Sequence, residues 1–234
     1  MDPRHNGSYV EYTTSSGIQA FMAQVYGWMS CGLLLTAFTA WFVNGSALQE
    51  AILTNSILFF GLIIAQLGLV FFLSGMVNRI SGSLATTLFM LYSVLTGLTL
   101  SVVFMQYTGA SIGSTFVVTA GTFGAMSVYG YTTKRDLTGL GSMMMMGLIG
   151  IIIASVVNIF LKSSAMYWAI TYIGVIVFVG LTAYDTQKLK AMGEQVSADD
   201  RENYRKHSIM GALTLYLDFI NLFLMLLRIL GDRR

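Results

Sequence analysis

The chain has 234 residues, of which 55% are hydrophobic and only 10% charged, with a net charge of +2. An average soluble domain carries about 25% charged residues, so this chain is too poor in charge to coat a water-facing surface. The small, dispersed charge also offers no basic footprint for nucleic acid, and the composition predicts an all-α integral membrane protein, not a soluble enzyme.

A bilayer-spanning helix needs about 20 mainly apolar residues, because each rises about 1.5 Å and the hydrocarbon core is about 30 Å thick. Residues 1–20 are polar and lack a basic-then-apolar leader, so a cytoplasmic N-terminal tail is expected there. Residues 21–234 then read as a single transmembrane domain of seven apolar runs: Phe21 to Val43, Ile52 to Leu73, Leu84 to Met105, Ile112 to Tyr131, Leu140 to Leu161, Ala165 to Asp185 and Ser208 to Leu230. The bilayer forces each run into a helix, since unpaired backbone amides in hydrocarbon each cost several kcal/mol. Between the last two runs lies the longest connection, Thr186 to His207, which reads as a solvated cytoplasmic loop (186–207) with a turn and helix start at Ser197-Ala198-Asp199-Asp200.

Lys and Arg in the connections set the orientation. Nine fall on one side: Arg4, Arg79, Lys134, Arg135, Lys188, Lys190, Arg201, Arg205 and Lys206. Four fall on the other: Lys162, Arg228, Arg233 and Arg234. The N-terminus is therefore expected in the cytoplasm and the C-terminus outside.

Most polar or unusual residues in the runs have plain structural readings. The single proline, Pro3, precedes every run, so straight helices are expected. Cys31 has no intrachain partner and reads as a small buried apolar residue. Gly109 with Gly113, Gly121 with Gly124, and Gly147 with Gly150 read as spacers for close helix packing, and Met143 to Met146 as lipid-facing or packing sulfur. Asn158 and Asn221 suit interhelical hydrogen bonds, and His207 reads as an interfacial, solvated imidazole that could report cytoplasmic pH. Gln66 is the most polar residue deep in the second run.

Two carboxylates break the apolar pattern. Asp218 stands about ten residues into the seventh run, and Asp185 at the cytoplasmic end of the sixth, three residues before Lys188. A charged residue at a helix centre costs about 2.5 to 3.5 kcal/mol on insertion scales, so it should face protein or water and have a partner. The sixth and seventh runs are antiparallel, which lets the two acids approach. Two carboxylates in contact cannot both ionise cheaply and tend to share one proton, which makes a proton-sensitive latch. Ionised, they repel and offer the hard oxygen ligands that suit calcium, which makes both candidate calcium ligands. Arg79, after the second run, could neutralise the pair; its alternative is ordinary positive-inside anchoring. No catalytic triad order, zinc spacing or nucleotide-binding glycine loop occurs in the remaining polar residues, and no cofactor is expected.

The stretches Ala183-Tyr184-Asp185-Thr186-Gln187 and TLYLDFINLFLMLLR, which holds Asp218, resemble the Bax inhibitor-1 family, also called the transmembrane Bax inhibitor motif family, with its bacterial inner-membrane members. The resemblance implies seven helices with the last surrounded by the other six, and a pH-dependent calcium leak controlled by a pair of aspartates matching Asp185 and Asp218. An arginine of the second helix exchanges contacts with that pair in the family, and counting back from Thr96-Gly97-Leu98-Thr99-Leu100-Ser101 places Arg79 there. The expected function is thus a pH-sensitive calcium leak of a bacterial inner membrane, with lipid, calcium and protons as partners. The alternatives are a proton-coupled cation exchanger using the same acids, and a non-transporting membrane regulator acting on partner proteins through residues 186–207.

Overall fold

The computed structural model describes residues 4–196 and 200–233, with side chains from Ser16 onward. Its helices are α1 (Arg4–Val43), α2 (Ala47–Thr54), α3 (Ser56–Met76), α4 (Gly82–Leu100), α5 (Val103–Gln106), α6 (Gly109–Thr132), α7 (Thr138–Leu161), α8 (Ser164–Gln195) and α9 (Arg201–Leu230). Among the described residues, seven stretches are long and apolar enough to cross a membrane: Ser16–Val43, Ser56–Met76, Gly82–Gln106, Gly109–Thr132, Thr138–Leu161, Ser164–Gln195 and Arg201–Leu230. The last is the most enclosed, with 61% of its apolar window buried, and the second the least, with 6%.

Local chemistry explains where these helices differ from the apolar runs. The second run is cut by Asn55, whose backbone N–H closes α2 on the Ala51 carbonyl while its Oδ1 accepts from the amides of Ile57 and Leu58 at 3.0 and 3.2 Å. One asparagine thus ends one helix and caps the next. The connection read as a loop is mostly helix: α8 continues to Gln195 and α9 begins at Arg201. Lys, Gln, Glu, Ala and Met fill the end of α8 and are good helix formers, so loss of apolarity there marks the end of the membrane and not the end of the helix. Of the expected turn, Ser197-Ala198-Asp199 lies outside the described residues; Asp200 caps α9, its Oδ1 accepting from the Asn203 amide at 3.1 Å.

The chain divides into two compact units. One comprises α1–α4 with the end of α8 from Leu189 and the start of α9 up to Thr214. In it α1 packs closely on α4: a methyl group on Gly97 would lie 2.7 Å from the Thr36 carbonyl oxygen, so only glycine fits. Gln66 ties α3 to α4, donating to the Leu95 carbonyl and the Thr99 hydroxyl at 3.4 Å each and accepting from Thr96 Oγ1 at 3.4 Å. The residues read as loop take part in this packing. Glu202 accepts from the Gly82 amide at 2.6 Å, Arg205 donates to Thr86 Oγ1 at 3.1 Å, and Lys206 is buried 3.8 Å from Glu202. Cys31 is exposed on its span, not buried as expected, and therefore faces lipid in a membrane.

The other unit comprises Val103 to Lys188, from α5 through most of α8, and α9 from Leu215 onward. Here the close helix approaches fall at glycines other than those singled out by spacing. Gly109, Gly113, Gly121, Gly124 and Gly150 have open space where a side chain would stand, and of those pairs only Gly147 meets a neighbour, Val177. Gly130 instead lies against the backbone carbonyl of Ala183, Gly141 against the Tyr184 ring, Gly180 against Met144 and Gly174 against Met225. Of the methionine run, Met144 is buried and Met143, Met145 and Met146 are exposed.

Candidate functional site

Those approaches hold α8 along its length, two of them beside Asp185. Gly130 of α6 and Gly141 of α7 admit the backbone and ring of Ala183 and Tyr184, the two residues preceding it, and Met225 of α9 fills the space over Gly174. Asp185 lies ten residues, or about 15 Å, inside the C-terminal end of α8, so it is not a helix-end cap. Both acids are buried, at 8% exposure for Asp185 and 5% for Asp218, and their carboxyl groups are neighbours. The antiparallel helices bring the two acids side by side.

The charged group that acts on Asp185 is Lys188, one turn further along α8 and exposed at its surface. Arg79 belongs to the other unit. It is exposed in the turn after α3, with its amide donating to the Met76 carbonyl at 2.8 Å. The other Asp218 oxygen, Oδ2, is buried without a hydrogen-bond partner, as are Thr115 Oγ1 and Ser127 Oγ on α6.

The same helix carries a further polar feature. The buried face of α6 carries Ser111, Thr115, Thr119 and Ser127, at steps of four and eight residues that repeat on one side of a helix. The ring of Phe219, the residue after Asp218, packs on Phe116 and Phe123 of α6 at 5.4 Å between centroids in each case. A row of hydroxyls thus faces the protein interior on a helix adjoining Asp218, and its spacing was a legible signal. Asn221 bonds within its own helix, to the Leu217 carbonyl at 2.8 Å, and Asn158 Oδ1 caps the Ser163 amide at 2.9 Å; neither makes the interhelical bond expected of it. His207 Nδ1 donates to the Asn203 carbonyl at 2.8 Å and is half-buried.

Among the described residues no three His, Cys, Asp or Glu side chains cluster as a metal cage. Two carboxyls supply at most four oxygens, whereas calcium takes about six to eight ligands.

Residues 18–234 match the family described as Bax1-I, inhibitor of apoptosis-promoting Bax1. The chain is 68% identical over 220 residues to the Escherichia coli inner membrane protein YbhL, covering 94% of each chain. An uncharacterized protein of Borreliella burgdorferi is 52% identical over 215 residues, covering 92% of each. A further uncharacterized protein, from Rickettsia prowazekii, is 46% identical over 224 residues, or 95% of this chain and 93% of its own.

Proposed function

This chain belongs to the Bax inhibitor-1 family, and from that premise we propose that it is a multi-pass inner-membrane protein that leaks calcium passively under control of a proton shared by Asp185 and Asp218. The observation that carries the reading is the side-by-side placing of two buried carboxyl groups, one on α8 and one on α9. With one proton shared, the acids hold α8 to α9. When that proton leaves, two like charges in a low-dielectric site repel, the contact opens, and carboxylate oxygens become available to calcium. The unpartnered Asp218 Oδ2 and the hydroxyl row of α6 are the polar groups such an ion would meet while losing part of its water. The last helix is the central one in this reading, in keeping with its greater burial. Lys188 is the cation that would bias the pair, with Arg79 in the role that the family resemblance implies, and no catalysis or cofactor is involved.

The test is calcium flux into proteoliposomes of purified protein at several external pH values, with and without an opposing proton gradient. A leak runs down the calcium gradient without a counter-ion and changes with pH; flux that needs the proton gradient makes the protein an exchanger, and no flux under any condition leaves the regulator. Orientation is tested separately. A reporter fused after Arg234 is expected outside and one inserted at 196–200 in the cytoplasm, from the nine-to-four distribution of basic residues.

A further inference from the structure

At the end of the second unit remote from Lys188, where α5 and α7 end and α8 begins, lies a cavity of about 710 Å³ lined by Gln106, Lys162, Ser163, Ser164, Tyr167 and Arg233, among others. Its cations are held in place. Arg233 donates to the Tyr167 hydroxyl at 3.3 Å, and the Arg228 guanidinium stands over the same tyrosine ring at 5.1 Å. Lys162 ends α7 in the left-handed conformation, with φ at 49° and its amide bonded to the Asn158 carbonyl at 2.8 Å. Glycine usually fills such a position, so a lysine here sets a charge at the cavity against its own backbone preference. Two of the four basic residues on the less basic side of the chain thus meet at Tyr167, and a third, Lys162, lines the same cavity.

The Asp232 carboxylate accepts from the Ser111 hydroxyl at 3.3 Å, and Asp232 is not among the residues named in the cavity lining. The first turns of α8 carry exposed aromatics, Trp168 stacked on Tyr172 at 5.8 Å. Such rings mark the level of lipid headgroups. The positive end of the α8 macrodipole adds to the field.

We propose that this cavity binds a phosphate group, supplied by the headgroup of an anionic membrane lipid. Lys162 and Arg233 supply the charge, Tyr167 orients the guanidinium, and the aromatic band sets the depth at which a lipid phosphate lies. The inference does not depend on calcium transport.

The probes are phosphatidylglycerol, phosphatidylcholine and inorganic phosphate, with binding to detergent-solubilised full-length protein read by native mass spectrometry. The wild-type protein is expected to retain phosphatidylglycerol over phosphatidylcholine, and the Lys162→Gly/Arg233→Gln double variant to hold it on the order of tenfold more weakly. Lys134→Gln/Arg135→Gln removes the same charge from an exposed connection and should bind as wild type does. Lys162→Gly alone relieves the left-handed backbone, so weaker lipid retention with an unchanged or higher melting temperature separates binding from folding. Inorganic phosphate that binds by itself, and is lost in the same variants, supports the phosphate site with the free ion as its source. Equal retention in the two double variants, or no preference for either phosphate probe over phosphatidylcholine, overturns the proposal.

Discussion

Asp185 and Asp218 lie side by side on two helices, both buried, and one Asp218 oxygen has no hydrogen-bond partner. Asp185→Asn and Asp218→Asn each keep shape and a hydrogen-bonding group while removing the mutual repulsion that only two ionised carboxylates generate. Each single variant is expected to flatten the pH transition of calcium flux, and the double variant to add little, because coupled sites are not additive. Independent calcium ligands would instead give losses that roughly sum, with the pH transition intact in each single variant. Flux measured for the four proteins across pH decides between the two.

A nearby cation favours ionised carboxylates, so removing one should move the flux transition to higher pH. Lys188→Gln is expected to do so because Lys188 acts on Asp185 directly. Arg79→Ala should shift the transition in the same direction if it fills the role that the family resemblance implies. An unchanged midpoint in well-folded Arg79→Ala protein makes that residue a positive-inside anchor only.

Gly130 lies against the Ala183 carbonyl, so a methyl group there must push α6 from α8 beside Asp185. Gly130→Ala is expected to destabilise by about 1 to 3 kcal/mol, the usual cost of overpacking. Gly121→Ala on the same helix meets open space and should be neutral or stabilising by up to about 1 kcal/mol. Melting temperatures of the two variants in one detergent test the contrast, and equal values would show that α6 and α8 do not approach closely at Gly130.

Asp136, exposed between α6 and α7, accepts from the Thr138 hydroxyl at 2.6 Å and the Thr138 amide at 2.9 Å, and these bonds hold its carboxyl below the usual carboxylate range. Because the folded value is depressed, the stabilisation is fully present above the unfolded pKa of about 4 and is lost as pH falls through the folded value. Asp136→Asn should therefore melt below wild type at neutral pH, with the gap closing in acid. A gap that stays constant to pH 2 to 3 would remove the carboxylate from the account.

Chemical composition by itself determined that the chain crosses a membrane about seven times, because too little charge and repeated apolar runs leave helices in hydrocarbon as the arrangement that satisfies the backbone. It also singled out Asp185 and Asp218, since an acid inside such a run stands out at once. Hydropathy could not say where α8 stops, because Lys, Glu and Gln leave the membrane without leaving the helix. Nor could spacing tell Gly130 from Gly121: both lie on α6, and only the arrival of the Ala183 carbonyl makes one indispensable and the other free. The meeting of the two acids and the gathering of Lys162, Tyr167 and Arg233 at one cavity were decided by tertiary structure alone. They depend on how helices distant in sequence rotate and meet, and an apolar run about 20 residues long carries little record of which of its faces turns inward.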